Sequence, residues 1–354
     1  MSEGDVASAG RGATALDPAA GARGRVVTLR DIADEAGVSI STVSRVLDER
    51  TPRSGNATAQ RVREVADRMG YRRNTVASAL RRGSTGTIGV VVPRLTDAVM
   101  AMVYEAIERA ARARGLFAVV TTSGDDPDDE REAVETLLDR TVEGLVLASV
   151  RLDDDLPERL RTAGVPHVLV IRTDDVSPSS LGDDEMGGWL ATRHLLDLGH
   201  ERIGLVTGPG FASSARDRLR GARRALEEAG VEVPEGWVVG DGYRTEHGIA
   251  AAERLFAGPD RPTAVFAAND NLALGVMAVA HRRRMVVGED LALVGYNDTP
   301  VVANLSVPIT SVRVPFDQIA TTALDLLLSP GGRGGVRRAM PTLIPRASSG
   351  RPLR

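Results

Sequence analysis

Residues 28–47 read TLRDIADEAGVSISTVSRVL. Leu29, Ile32, Ala33 and Ala36 recur at i, i+3, i+4 and i+7, which gives a short helix one apolar face. Gly37 is suited to the left-handed position that ends a helix, and Ser39 is a good N-cap for a second helix from about Ile40 to Leu47. The spacing predicts a helix-turn-helix. At about 100° per residue Val43, Val46 and Leu47 gather on one side of the second helix, with Ser41 and Arg45 roughly opposite. Val62, Val65, Ala66 and Met69 supply a third amphipathic pattern ahead of Gly70 and Tyr71, enough to close a three-helix core. The pattern alone also fits an ordinary helical hairpin whose Arg45 sits in water.

The rest of the chain narrows this choice. With 354 residues there is room for two or three domains. No apolar run approaches the eighteen or so residues of a membrane helix. Residues 1–25 are rich in Gly, Ala and Ser, lack the apolar core of a secretory signal, and are expected to form a disordered tail. Cys is absent, which excludes disulfides and thiolate metal sites and fits a cytoplasmic protein. Between Arg25 and Gly83 twelve Arg stand against seven Asp and Glu, an excess of five, in a chain of net charge −4; the remainder is therefore near −9. A basic head on an acidic body is the pattern expected when only the head meets a polyanion.

From Thr87 onward apolar runs alternate with helical patterns: IGVVVP, LFAVVTT, GLVLAS and HVLVI, then RIGLVTG, TAVFAAND and LALVGYND. Such alternation predicts two parallel α/β lobes. Ligands of open parallel sheets bind at the carboxyl ends of the strands, so the following loops should face one cleft. Those loops carry Asp97, Ser123, Asp125, Arg172, Arg218, Tyr243, Asn269, Asn297 and Phe316. Asp270 reads as a helix N-cap, and Tyr243 and Phe316 as cleft walls or core. For Arg218 the competing reading is a salt bridge between lobes, with Asp217 or Asp298. The five His are scattered, and no paired nucleophile and base appears, so no metal, cofactor or catalytic site is expected.

The opening stretch, continued by VREVADRMGYRRNTVASALRRGSTGTIGVVVP, resembles the DNA-binding head and hinge of the lactose-repressor (LacI/GalR) family of bacterial regulators, and the resemblance extends to about Ser349. It implies an N-terminal helix-turn-helix head over 26–72, a hinge over 73–86 and a two-lobed α/β body with parallel sheets over 87–349, similar to periplasmic sugar-binding proteins. Lobe one would take about 87–182 and 314–340, and lobe two about 183–311 and 341–349, with crossings near Gly182, Ser311 and Met340. By position, Ile40, Ser41 and Arg45 would read base edges in the major groove. Arg can be bidentate to guanine, Ser is more permissive, and Ile offers only apolar surface. Thr28, Ser39, Thr42, Ser44 and Asn56 would hold phosphates or cap helices, which sets register rather than sequence. In the hinge Asn74 would cap a short helix, Val76 and Ala77 would pair with a second copy, and Leu80 would wedge into a base step.

The resemblance further implies that Arg218, Asn269 and Asn297 hold effector hydroxyls or a carboxylate, with Asp97, Ser123, Arg172, Tyr243 and Phe316 around them. Departures from the family pattern bear on the ligand. Asp97-Ala98-Val99-Met100 stands where relatives place Asn-Pro and two aromatics, so a flat sugar face loses its stacking partner. Ile171 or Arg172 replaces an acidic residue after HVLVI, and Asn297 stands where an Asp often accepts two sugar hydroxyls. A less acidic pocket with up to two Arg favours an anionic small molecule such as a sugar acid or phosphate. The segment DERTPRSGNAT before the third helix is one residue longer than the lactose-repressor pattern, Gly55 takes the place of a capping Ser, and Arg73 replaces a frequent Pro.

Two classes of function are thus expected to compete. The first is a transcription regulator, most often a repressor in this family, whose homodimer reads a pseudo-palindromic DNA operator and senses a small-molecule effector, a sugar or sugar derivative. The other is a solute-binding protein or sugar-handling enzyme with the same body; it needs a secretion signal or a catalytic pair, neither of which is read here. No leucine-rich heptad tail follows Ser349, so a dimer is expected rather than a larger assembly. The basic head favours the regulator.

Overall fold

The computed structural model describes residues 27–47, 55–71, 85–329 and 334–350. It divides into a unit covering 1–81 and a second covering 82–354. The expected tail over 1–25 lies outside the described residues, as do Asn74, Val76, Ala77 and Leu80 of the expected hinge.

In the first unit α1 spans Leu29–Ala36, α2 Ile40–Val46 and α3 Ala57–Arg68. Each start is fixed by a side chain satisfying backbone amides that have no partner inside the helix. Thr28 and Asp31 form a reciprocal capping box on α1: the Thr28 amide donates to Asp31 Oδ2 at 2.8 Å and Thr28 Oγ1 accepts from the Asp31 amide. Ser39 accepts from the Thr42 amide at 3.2 Å, and Asn56 from the Ala59 amide at 2.8 Å. Gly37, at φ 65° and ψ 40°, ends α1 in the left-handed region, which lets the chain turn into α2 within three residues. Ile32, Ala33, Ala36, Val43, Val62, Val65 and Ala66 form the shared core, with Met69 and Tyr71 packed on its edge.

The second unit holds two six-stranded sheets. In chain order the strands are β1 (Thr87–Val92), β2 (Phe117–Thr122), β3 (Leu145–Leu147), β4 (His167–Val170), β5 (Ser179–Gly182), β6 (Ile203–Val206), β7 (Val238–Val239), β8 (Ala264–Ala267), β9 (Ala292–Asn297), β10 (Thr310–Arg313), β11 (Val336–Ala339) and β12 (Thr342–Ile344). One sheet runs β11-β5-β4-β3-β1-β2 and the other β12-β10-β9-β8-β6-β7. The chain leaves the first sheet after Gly182, returns after Arg313 and crosses again between Ala339 and Thr342. All pairings between these strands are parallel except β12, which lies antiparallel on β10, so the expected parallel sheets carry one antiparallel edge. In each sheet the order reverses beside the first strand of the lobe, β1 or β6, and such a switch point opens a crevice at the carboxyl ends of the strands.

The helices Asp184–Asp197 and Ser213–Glu228 pack on each other through glycine. A Cβ at Gly221 would fall far inside van der Waals contact with the Glu185 carbonyl oxygen, and one at Gly188 would strike the Arg218 carbonyl oxygen. A Cβ at Gly187 would collide with the Tyr296 hydroxyl. The close crossing places Asp184 and Arg218 side by side at the cleft. Because backbone atoms form the obstacle, Gly221→Ala is expected to cost at least roughly 1–3 kcal/mol in urea unfolding. An unchanged midpoint would show that the helices can separate without loss.

Candidate nucleic-acid interface and ligand cleft

On α2, Val43 is fully buried while Ile40, Ser41 and Arg45 are exposed; Ile40, at 40%, is an unusually open aliphatic side chain for so small a core. The sequence-based division of α2 into a packed side and a free side therefore matches its burial. Thr28, Ser39 and Asn56 are exposed N-caps, and the half-buried Thr42 meets Ser39 through its hydroxyl at 2.8 Å. Ser44 is half-buried. Exposed helix N-termini of this kind present amide donors and a positive dipole end, the elements of a phosphate contact. Arg30, Arg45 and Arg61 are exposed, and Arg68 pairs with Glu35 at 2.6 Å on the open surface.

In the body, the loops after the strands of both sheets converge on a cavity of about 250 Å³. Of the residues singled out from the sequence, Asp97, Asp125, Arg172, Arg218, Tyr243, Asn269, Asn297 and Phe316 line it. Ser123 does not: it is buried and its hydroxyl turns to the Gly124 carbonyl at 3.4 Å, although Asp125, two residues on, reaches the cavity. Phe211, Ser214, Asp184 and Asp241 also line the cavity and carry no pattern that singled them out. Phe211 supplies a ring that the Val99 and Met100 positions lack, with the Arg151 guanidinium 3.7 Å above it.

Arg218 is the anchor of lobe two. Its Nε donates to Asp184 Oδ1 at 2.8 Å, its Nη1 to the Ala268 carbonyl at 2.6 Å, and its guanidinium lies 3.8 Å over the Tyr296 ring. This corrects the alternative of a bridge to Asp217 or Asp298. Asp217 pairs with Arg216 and Arg220, and Asp298 with Arg313 and Arg346. Burial, the largest single effect, opposes the charge on Arg218, yet Asp184 together with the neighbouring Tyr296 and Tyr243 outweighs it and holds the guanidinium above its ordinary pKa. For Asp184 burial dominates and raises the carboxyl, with Arg218 countering only in part.

The helix Asp270–Arg282 starts differently from the sequence expectation of an Asp270 cap. Its N-cap is Asn269, which accepts from the Leu272 amide at 2.8 Å while its amide donates to the Tyr243 carbonyl at 2.9 Å. Asp270 instead points inward, accepting from the Thr299 amide and from Ser311 Oγ, each at 2.7 Å, and so ties the loop after β9 to β10. Burial raises its carboxyl from 3.8 to about 6, only partly opposed by those hydrogen bonds. A raised folded-state value means that the native protein binds this proton more tightly than the unfolded chain does. The stabilisation is complete below the unfolded value and is lost as pH rises through about 6. Asp270→Asn never ionises, so its stability relative to wild type should increase by on the order of 3 kcal/mol between about pH 4 and about pH 7. Denaturant melts across that range test this, and a flat difference would show that Asp270 titrates as it does in water.

Asp97 caps the helix Ala98–Arg112 through the Val99 amide at 3.0 Å while facing the cleft, and burial raises its carboxyl. The lobes are bridged beside the cavity. The Leu152 amide donates to the Phe211 carbonyl at 2.8 Å, the Thr173 amide to Ser213 Oγ at 2.8 Å, and Arg216 pairs with Asp175 at 2.9 Å. A change in lobe angle must break or re-form these contacts. Among the described residues no helix is long and apolar enough to cross a membrane, and no group of acidic or His side chains is placed to hold a metal.

Comparisons with known proteins agree with both halves. Residues 28–74 match the model of bacterial regulatory proteins of the lacI family, and residues 192–349 that of a periplasmic binding protein-like domain. The chain is 32% identical over 306 residues to the ribose operon repressor of Escherichia coli, covering 86% of this chain and 92% of that protein. It is 30% identical over 310 residues to the HTH-type transcriptional repressor PurR of Photobacterium profundum, covering 86% and 91%. The Lac repressor dimer bound to operator and the anti-inducer ONPF is similar in structure, with a TM-score of 0.82 at 29% identity over 92% of this chain and 100% of that one. These relatives are repressors rather than enzymes.

Proposed function

The chain belongs to the lacI family of bacterial regulatory proteins, and from that premise we propose that it is a cytoplasmic repressor that binds a pseudo-palindromic operator as a homodimer and releases or tightens it on binding a small metabolite. The proposed division is a head over 26–72, a hinge over 73–86 and a body over 87–349. The observation that carries the reading is α2, where a buried Val43 stands opposite the exposed Ile40, Ser41 and Arg45. That arrangement presents one bidentate donor, one short hydroxyl and one apolar group together, a set suited to base edges in the major groove. Thr28, Ser39, Thr42, Ser44 and Asn56 take the phosphates and fix register. Asn74, Ala77 and Leu80 act in the hinge, where Leu80 opens a base step.

In the body Arg218, Arg172, Asn269, Asn297, Asp97, Tyr243 and Phe316 surround the effector. Closing of the lobes on the ligand shifts the contacts of Phe211, Ser213 and Arg216 and changes the spacing of two heads across the dimer. The test is selection of operator sequences from a random pool. It should return a symmetric site, with half-sites related by the twofold axis of the dimer. Arg45→Ala is expected to cost about 1–3 kcal/mol and to relax selection at one guanine per half-site. Equal weakening on all sequences would make Arg45 a phosphate contact only, and a selection returning no symmetric site would remove the reading.

A further inference from the structure

Arg172 differs from every other Arg of the cleft in how its charge is met. Arg218 is neutralised by Asp184, Arg94 by Asp125 and Arg244 by Glu246. Arg172 is only 4% exposed, yet among the described residues no carboxylate lies within ion-pair distance, and its hydrogen bond goes to the Ser149 carbonyl at 3.0 Å. Glu130, also buried, sits behind that strand end and accepts from Ser149 Oγ at 2.6 Å. The Phe211 and Tyr243 rings lie 5.6 and 5.9 Å from the guanidinium, at the outer edge of cation–π reach. Rings at that range do not replace a counter-ion for a desolvated charge.

The backbone shows that this placement is built. The Arg172 amide donates to the Val170 carbonyl at 2.7 Å, closing a three-residue turn about Ile171 at φ 56°. A β-branched residue in the left-handed region is strained, and a three-residue turn of this hand is rare. Strain of this kind persists where surrounding structure imposes it, and it clusters at ligand sites. The turn follows β4 directly, and both Ile171 and Arg172 line the cleft.

We infer that the cleft takes a hydroxylated small anion, a carboxylate or a phosphate monoester, whose charged end is bound by Arg172. This rests on the cleft being the effector site. Guanidinium forks match both groups with paired, charge-assisted hydrogen bonds. Asn297, whose backbone at φ 100° also departs from the usual region, and Asp241 line the same cavity and are available to hydroxyls. Neutral polyols would leave Arg172 without a partner in ion-pair contact, so charge is the discriminating feature.

The experiment is calorimetry and thermal shift on the full chain with matched probes: glucose, gluconate and glucose 6-phosphate; ribose, ribonate and ribose 5-phosphate; and inorganic phosphate. At least one anion is expected to bind about tenfold or more tighter than its neutral parent, a difference carried by a charge-assisted bond. Arg172→Gln should erase that preference, and Arg172→Lys should retain part of it, which separates lost charge from lost fold. Glu130→Gln, which removes a buried carboxyl behind Ser149, should tighten the anion further. A neutral sugar that binds as well as its acid and phosphate overturns the inference. So does a wild-type protein whose melting temperature none of the anions moves at about 10 mM, where even weak binding to the native state registers. An anion that binds through Arg172 without altering operator affinity leaves the ligand class standing and sinks the sensing role of the cleft.

Discussion

Arg218→Ala is expected to lose about 3–5 kcal/mol of unfolding free energy in the body, along with all affinity for the cleft ligand. The side chains of Arg218 and Asp184 are only 8% and 7% exposed. Truncation would strand the Asp184 carboxylate in a dry site and leave the Ala268 carbonyl without its donor at 2.6 Å. Removing one member of a buried pair costs far more than replacing both, because an uncompensated charge remains. Arg218→Met combined with Asp184→Asn should therefore recover much of the stability without recovering ligand binding. Urea melts paired with calorimetry separate the two effects. A single variant within about 0.5 kcal/mol of wild type, the scatter of ordinary surface substitutions, would show that Asp184 reaches water or another cation. From sequence alone the residue reads as an effector contact, with a salt bridge between lobes as the competing reading; its bonds to Asp184 and Ala268 and its stacking on Tyr296 make it also a strut of lobe two.

Operator affinity is expected to fall roughly a thousandfold or more between about 50 and 200 mM salt, because several Arg in each of two heads displace condensed counterions. Twelve Arg fall between Arg25 and Gly83. Of those described, Arg30, Arg45, Arg61 and Arg68 are exposed, the last paired with Glu35, and the exposed caps Thr28, Ser39 and Asn56 add amide donors that carry no sequence information. Arg61→Gln should reduce the slope by about one per head and weaken all sequences alike, whereas Arg45→Ala should change which sequences are preferred. Fluorescence anisotropy over a salt series measures both. A nearly flat dependence would mean that the basic excess of the head does not face DNA.

The amino-acid sequence by itself determined the helix-turn-helix and the α/β nature of the body. Both follow from local periodicity: Ile32, Ala33 and Ala36 on one helix face, Gly37 at the turn, and runs such as IGVVVP and LALVGYND buried on both sides of a sheet. It also placed most of the cleft, because ligands of parallel sheets meet the loops after strands, and Arg172, Asn269 and Asn297 fall at or just after strand ends, whereas Arg218 comes from the second turn of the helix Ser213–Glu228 rather than from a loop. Strands β5 and β10, rich in Ser and Thr, were not legible. Ser180 and Ser311 have little propensity of their own; pairing with β4 and β11, and with β9 and β12, holds them extended, while the Ile319 carbonyl and Asp270 satisfy their hydroxyls from distant parts of the chain. Only the tertiary structure decided that Asn269 rather than Asp270 caps its helix, that Ser123 turns away, that Phe211 joins the cleft from the opposite lobe, and that Arg218 is neutralised by Asp184 while Arg172 is not. Each of those outcomes depends on which residue, tens of positions away, fills the space beside a side chain. Periodicity reports the face on which a residue lies; its partner in charge or hydrogen bonding is set by how the two sheets and the glycine-mediated helix crossing bring separate segments together.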